Sequence, residues 1–160
     1  MALTIKPISE QDLDTVNEII TRFWGDVVMV VHNEVYDLAE QPGLKAVIDD
    51  RIVGCLHYEV REQDCEILNL VSLQENQGIG SALLATVEAI AKTQGCKKLT
   101  LITTNDNLHA LGYYQRKGFR LTAIYPGQVD ISRNIKPSIP LIGENNIPLR
   151  DELKLEKKIS

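Results

Sequence analysis

Two spacings of apolar residues alternate along the chain. Residues 3–7 read as a short edge strand, and Ser9-Glu10-Gln11-Asp12 after it has the form of a capping box with Ser9 as N-cap. Leu13, Val16, Ile20 and Phe23 then fall three and four residues apart, one face of a helix that Gly25 can end. The β-branched run 27–31 reads as a strand. Pro42-Gly43 marks a turn, and 44–48 with 52–60, joined through Asp49-Asp50-Arg51, form a hairpin. A polar turn over 61–64 leads into a further strand, 65–73.

The period then changes. Gly78-Ile79-Gly80 opens a helix in which Leu83, Leu84, Val87, Ile90 and Ala91 make one apolar stripe, with Gly95 just past its end. Residues 99–103 form a strand without clean alternation, as expected where both sheet faces are covered. Asn105-Asp106-Asn107 caps a short helix over 108–117, closed by Gly118. Phe119, Leu121, Ala123 and Tyr125 alternate with Arg120, Thr122 and Ile124, a half-buried strand. The stretch 126–150, with Pro126, Pro137, Pro140 and Pro148, reads as an irregular insertion before a last alternating strand around Leu153 and Leu155. The order predicts a mixed α/β fold built as one domain over 1–160.

Composition adds exclusions. At 160 residues with 44% hydrophobic and 24% charged side chains, the chain carries enough apolar material for a core, which excludes a disordered or collagen-like protein. A formal charge of −5 argues against general nucleic-acid binding and against an anionic membrane surface. The longest apolar run, Val27-Val28-Met29-Val30-Val31, is too short to span a bilayer, and the start Met-Ala-Leu-Thr-Ile-Lys has no signal-peptide core. Cys55, Cys65 and Cys96 are odd in number and lack C-x-x-C spacing, so they read as reduced, buried thiols of a cytoplasmic protein.

Candidate chemistry concentrates in the strand–loop–helix over 65–84. Glycines let a backbone approach a ligand closely, and the first-turn amides of a helix favour an anion such as phosphate. A Walker loop is excluded because no lysine follows the glycines. A dinucleotide fingerprint is excluded because Leu83 stands where its third glycine belongs, and Thr103-Thr104 where its acid belongs.

The series Gly78-Ile79-Gly80-Ser81-Ala82-Leu83-Leu84, then Asn107-x-x-Ala110, then Tyr114-x-x-x-Gly118-Phe119, resembles the GNAT (GCN5-related) N-acetyltransferase family, and within it a bacterial subgroup through the closing segment. The resemblance follows the element order over about residues 3–125 and is sharpest over 66–119. It implies a mostly antiparallel mixed sheet with a splayed central parallel strand pair and flanking helices. It implies acetyl-CoA as co-substrate and a small-molecule or peptide amine as acceptor. Gln77, Gly78, Ile79, Gly80 and Ser81 would hold the coenzyme diphosphate, and Asn107 the pantetheine arm. Backbone amides near Val71, Ser72 and Leu73 would face the thioester carbonyl, and Tyr114 would protonate the leaving thiolate. Glu66, where some relatives keep a glutamate, is the candidate base.

The chain departs from the family pattern at Glu75, where Arg or Gln is usual, and in a loop before Gly78 one residue shorter than common. These departures keep open a non-catalytic acyl-CoA-binding or sensing domain. Asp106 and His32 are further candidate bases. His57, two residues from Cys55, lacks the other ligands of a zinc site, and no metal is expected. Trp24 reads as a partly buried core side chain. The segment 126–150 is expected to cover the acceptor site or to join a homodimer interface.

Overall fold

The computed structural model describes residues 2–160, which fall into two compact units. The first comprises the chain up to Met29, Asp37–Leu99 and Ile159–Ser160; the second comprises Val30–Tyr36 and Thr100–Lys158.

In the first unit, strands β1 (Thr4–Pro7), β4 (Gly43–Ile48), β5 (Arg51–Arg61) and β6 (Asp64–Ser72) lie side by side in that order, all antiparallel. Helix α1 (Leu13–Trp24) buries Val16, Ile19 and Ile20, and Gly25 ends it at φ 84°. Helix α2 (Ile79–Thr93) packs on β4, β5 and β6 with Ile79, Leu83, Leu84, Val87 and Ala91 inward. Its apolar stripe is the predicted one, save that Ile90 is only half-buried. The capping box at Ser9 is present, with Asp12 accepting from the Ser9 amide at 2.8 Å.

A hairpin of β2 (Val28–Val31) and β3 (Glu34–Asp37) follows α1. Strand β3 had no alternating pattern to announce it. His32 and Asn33 at its turn have φ of 49° and 67°, the paired left-handed conformation of the tight turns that join twisted strands.

The second unit holds most of β7 (Lys98–Thr104), helix α3 (Leu108–Arg116), β8 (Arg120–Tyr125), helix α4 (Gln128–Ile135) and β9 (Glu152–Lys158). Strand β9 pairs antiparallel with β8, which forms the sheet edge. Two sequence expectations fail here. Leu121 was to face inward, but a register shift between Leu121 and Ala123 breaks the alternation and leaves Leu121 exposed. The segment 126–150 is not irregular throughout. Gly127, at φ 73°, starts the two-turn α4, which buries Val129 and Ser132 three residues apart. Trp24 is also more open than expected, with 42% of its surface exposed.

Candidate active site

In the first unit the candidate site is the junction of β6 and α2. Ser72 ends β6, and Glu75, Asn76, Gln77 and Gly78 are all exposed in the loop that follows. Gly78 takes φ 72° and ψ 14° as the N-cap of α2, and Asn76 before it has φ 60°. As glycine, this N-cap has no side chain to bond the first turn, and none caps this end. An α-helix leaves its first-turn N–H groups without intrahelical partners, so the amides of Ile79 and Gly80 stand at a positive helix end. Glu75 is exposed.

What holds this helix start in place is a residue that pattern reading passed over. Gly54 on β5 lies under α2, and a Cβ there would come 2.8 Å from Ile79 Cγ2 and 2.7 Å from the Val71 carbonyl oxygen. The missing side chain therefore lets Ile79, 1% exposed, seat directly on β5 beside the end of β6.

The three amides expected near the thioester are not equivalent. Leu73 N–H donates to the Val53 carbonyl at 2.8 Å, so it is engaged with β5. Ladder alternation directs the Val71 amide to the same side and turns the Ser72 amide the other way. The hydroxyl of Ser72 donates to the Gln74 carbonyl at 2.9 Å, which shapes the loop. Glu66 is half-buried and stands across from Glu59 in the β5–β6 register. It lies six residues before Ser72, roughly 20 Å along an extended strand, so any proton relay from that end runs through intervening groups.

Between them is a buried polar pair. The His57 ring, 2% exposed, places Nδ1 2.7 Å from Asn69 Oδ1, and the His57 backbone amide donates to the same oxygen at 2.8 Å. The register of β5 and β6 shifts beside this pair, leaving Leu68 as the extra residue, and Asn69 supplies the acceptor that the ladder loses there. Burial pushes the His57 pKa below its ordinary value and holds the ring neutral. Gly43 makes room for it, since a Cβ there would lie 2.9 Å from His57 Cδ2.

In the second unit the candidate residues lie on α3. Asn107 is its N-cap, with Oδ1 accepting from Ala110 N at 3.1 Å and Nδ2 at the same helix end. Tyr114 follows seven residues later, on the same helix face and roughly 10 Å along the axis. It is 9% exposed and meets Phe119 and Tyr113 edge-on at centroid distances of 5.4 and 5.3 Å. Burial raises its pKa above the ordinary phenol value, so it stays protonated. His109 is exposed.

The other two candidate bases have structural work. Asp106, 5% exposed, accepts from the Thr104 hydroxyl at 2.5 Å and from Glu144 N at 2.8 Å. His32 Nδ1 lies 3.2 Å from Glu152 Oε1, and its ring packs on Tyr125 at 4.4 Å. Among the described residues, no group of three or more His, Cys, Asp or Glu could hold a metal ion, and no helix is long and apolar enough to cross a membrane.

The glycine-opened helix after β6 and the Asn-capped helix bearing a buried tyrosine stand in the order of the motifs that resemble the GNAT family. The family model described as Acetyltransferase (GNAT) family matches residues 13–119, and the chain belongs to this family of N-acetyltransferases, whose acetyl donor is acetyl-CoA. The chain is 40% identical over 158 residues to "Uncharacterized protein YxbD" of Bacillus subtilis (strain 168), covering 98% of this chain and 99% of that one. Among solved structures, a GNAT family acetyltransferase from Elizabethkingia anophelis with acetyl-CoA bound is 28% identical with a TM-score of 0.69, over 98% of this chain and 97% of that one. An IAA acetyltransferase from Bacillus cereus ATCC 14579 shares the fold at 23% identity and a TM-score of 0.70, over 98% and 99% of the two chains.

Proposed function

We propose that the protein transfers the acetyl group of acetyl-CoA directly to a primary amine, on a small molecule or a peptide, and that its two units act as one N-acetyltransferase domain. The observation that carries the reading is the uncapped start of α2 after Gly78, seated on β5 through Gly54. In the first unit, the amides of Ile79 and Gly80, with Gln77, Gly78 and Ser81 around them, hold the coenzyme diphosphate. The acetyl-CoA bound in the Elizabethkingia relative supports this assignment. The Ser72 amide, turned away from β5 between Val71 and Leu73, donates to the thioester oxygen as negative charge develops there.

The amine lone pair attacks the thioester carbon, the C–S bond breaks, and the thiolate takes the proton of the Tyr114 phenol, which is restored by the second proton that the nitrogen sheds as the amide forms. In the second unit, Asn107 meets the pantetheine arm through its Nδ2. The amine must first lose a proton, which for a lysine-like group of pKa ~10.4 costs about 4–5 kcal/mol at neutral pH. Glu66 accepts that proton through water. The thiols of Cys55, Cys65 and Cys96 are all buried, and burial pushes Cys65 up to about 12 and Cys55 up to about 11; inert thiols fit a reducing compartment, the bacterial cytoplasm.

Titration of 15N-labelled protein tests the coenzyme site. Coenzyme A should move the amide resonances of Ile79 and Gly80, whereas acetylpantetheine, which lacks the diphosphate, should leave them in place. Equal shifts with both ligands would contradict the assignment. An amine panel with acetyl-CoA then identifies the acceptor; binding without transfer to any amine would favour the sensing alternative.

A further inference from the structure

We propose that Asp106 and Asn105 are positioning residues for acetyl transfer, and that residues 143–151 form a brace that fixes the start of α3 through them. The inference rests on the roles given above to Asn107 and Tyr114, both carried by that helix.

The turn from β7 into α3 bonds to the brace along its whole length. The Asp106 carboxylate accepts from Glu144 N at 2.8 Å, and its backbone carbonyl accepts from Asn145 Nδ2 at 3.0 Å. Asn105 Nδ2 donates to the Pro148 carbonyl at 2.8 Å, while its Oδ1 accepts from the amides of Arg150 and Asp151, both at 3.0 Å. The Asn105 amide donates to the Asp151 carbonyl at 3.0 Å. A Cβ on Gly143 would overlap Asp106 Oδ2, so only glycine lets the brace come this close. Asn145 and Asn146 both take left-handed backbone, at φ 57° and 58°, a conformation Asn tolerates better than most residues.

The brace is itself anchored. Arg133 on α4, with its side chain 13% exposed, donates from Nε to the Ile139 carbonyl at 3.1 Å, and from Nη2 to those of Pro140 at 2.6 Å and Leu149 at 2.5 Å. Val129 N donates to the Arg150 carbonyl at 3.0 Å, and Gly127 N to Asp151 Oδ1 at 2.8 Å.

These bonds end on the two residues immediately before the N-cap Asn107. A helix of nine residues such as α3 is marginal alone, so its direction depends on what holds its ends. Its C-terminal half is held by Tyr114 against Phe119, and its N-terminal end by the brace. Loss of the brace should therefore displace Asn107 and Tyr114 while the rest of the fold stands.

Steady-state kinetics and hydrogen exchange on Asp106→Ala, Asp106→Asn and Gly143→Ala test this. In Asp106→Asn the amide oxygen still accepts from Glu144 N–H, and its NH2 donates to the Thr104 oxygen, so the brace holds. Asp106→Ala and Gly143→Ala should lower kcat by roughly 10–100-fold with the amine KM within about threefold, because small displacements of reacting groups act on turnover. Amide exchange over 107–111 should quicken in both, and Asp106→Asn should restore most of kcat and the slow exchange. Unchanged kcat and exchange in folded Asp106→Ala would overturn the inference, as would an Asp106→Asn variant as impaired as Asp106→Ala. Should Asp106→Ala fail to fold, Gly143→Ala decides by the same two readings. Tyr114→Phe measured alongside separates the two levels: full activity there removes the acid role of Tyr114, while the exchange rates and the Asn rescue still judge the brace.

Discussion

The Ile79 side chain occupies the space that a side chain on Gly54 would fill, 2.8 Å from the position of an added Cβ. This contact sets how close the first turn of α2 comes to β5, and with it the placement of the amides of Ile79 and Gly80. Gly54→Ala should destabilise the protein by about 1–3 kcal/mol, as overpacking typically does. It should also weaken coenzyme binding more than a stability loss alone accounts for. Thermal melts and coenzyme A titrations on the same samples check this; unchanged affinity in a destabilised variant would show that the α2 start does not hold the ligand.

His57 makes a pH prediction with a definite sign. Its folded pKa lies below the ordinary ~6.5, so between the two values the unfolded chain binds more protons than the folded one. Stability should therefore rise with pH up to about 6.5, with a slope from this group of at most about 1.4 kcal/mol per pH unit. His57→Gln, which does not titrate, should flatten that part of the curve. Denaturant melts from pH 5 to 8 check it, and an unaltered slope in the variant would assign the dependence elsewhere.

Asp12 governs a lower window. Its hydrogen bond to Lys45 Nζ, at 2.8 Å, and the bonds from Ser9 hold its carboxyl at about 2. The stabilisation is present above its ordinary value near 3.8 and is lost as pH falls toward 2. Lys45→Met should reduce the acid sensitivity measured between pH 4 and pH 2, and an unchanged acid limb would contradict the pairing.

Tyr114 shapes the alkaline side of the rate profile. The phenol acts in its protonated form, and burial raises its pKa above the ordinary ~10. Activity limited by amine deprotonation should climb with pH without an alkaline fall below about pH 10. A downturn near pH 8 that Tyr114→Phe abolishes would mean that the tyrosine ionises far more easily than its surroundings allow.

Local signals carried part of this site into the sequence. Gly78 as a helix opener, the stripe Leu83, Leu84, Val87 and Ala91, and Asn107 as an N-cap each depend on neighbours within a turn or two. The His57–Asn69 pair spans twelve residues and arises from a bulge, which no spacing announces. The bonds of Asp106 to Glu144 and of Asn105 to Arg150 span 38 and 45 residues, so the segment 126–150 read as irregular although it folds around Arg133 and Val129. Gly54 sat inside an apolar run where its missing side chain looked incidental. Its meaning depends on Ile79, a residue of another element.

The most direct test is single-turnover acetyl transfer by Tyr114→Phe at saturating acetyl-CoA, with coenzyme affinity measured on the same protein. The account predicts a rate lowered by roughly 10²–10⁴-fold with affinity unchanged, the signature of a lost proton donor. Transfer at the rate of the unaltered enzyme would contradict it and leave the leaving thiolate without need of this phenol.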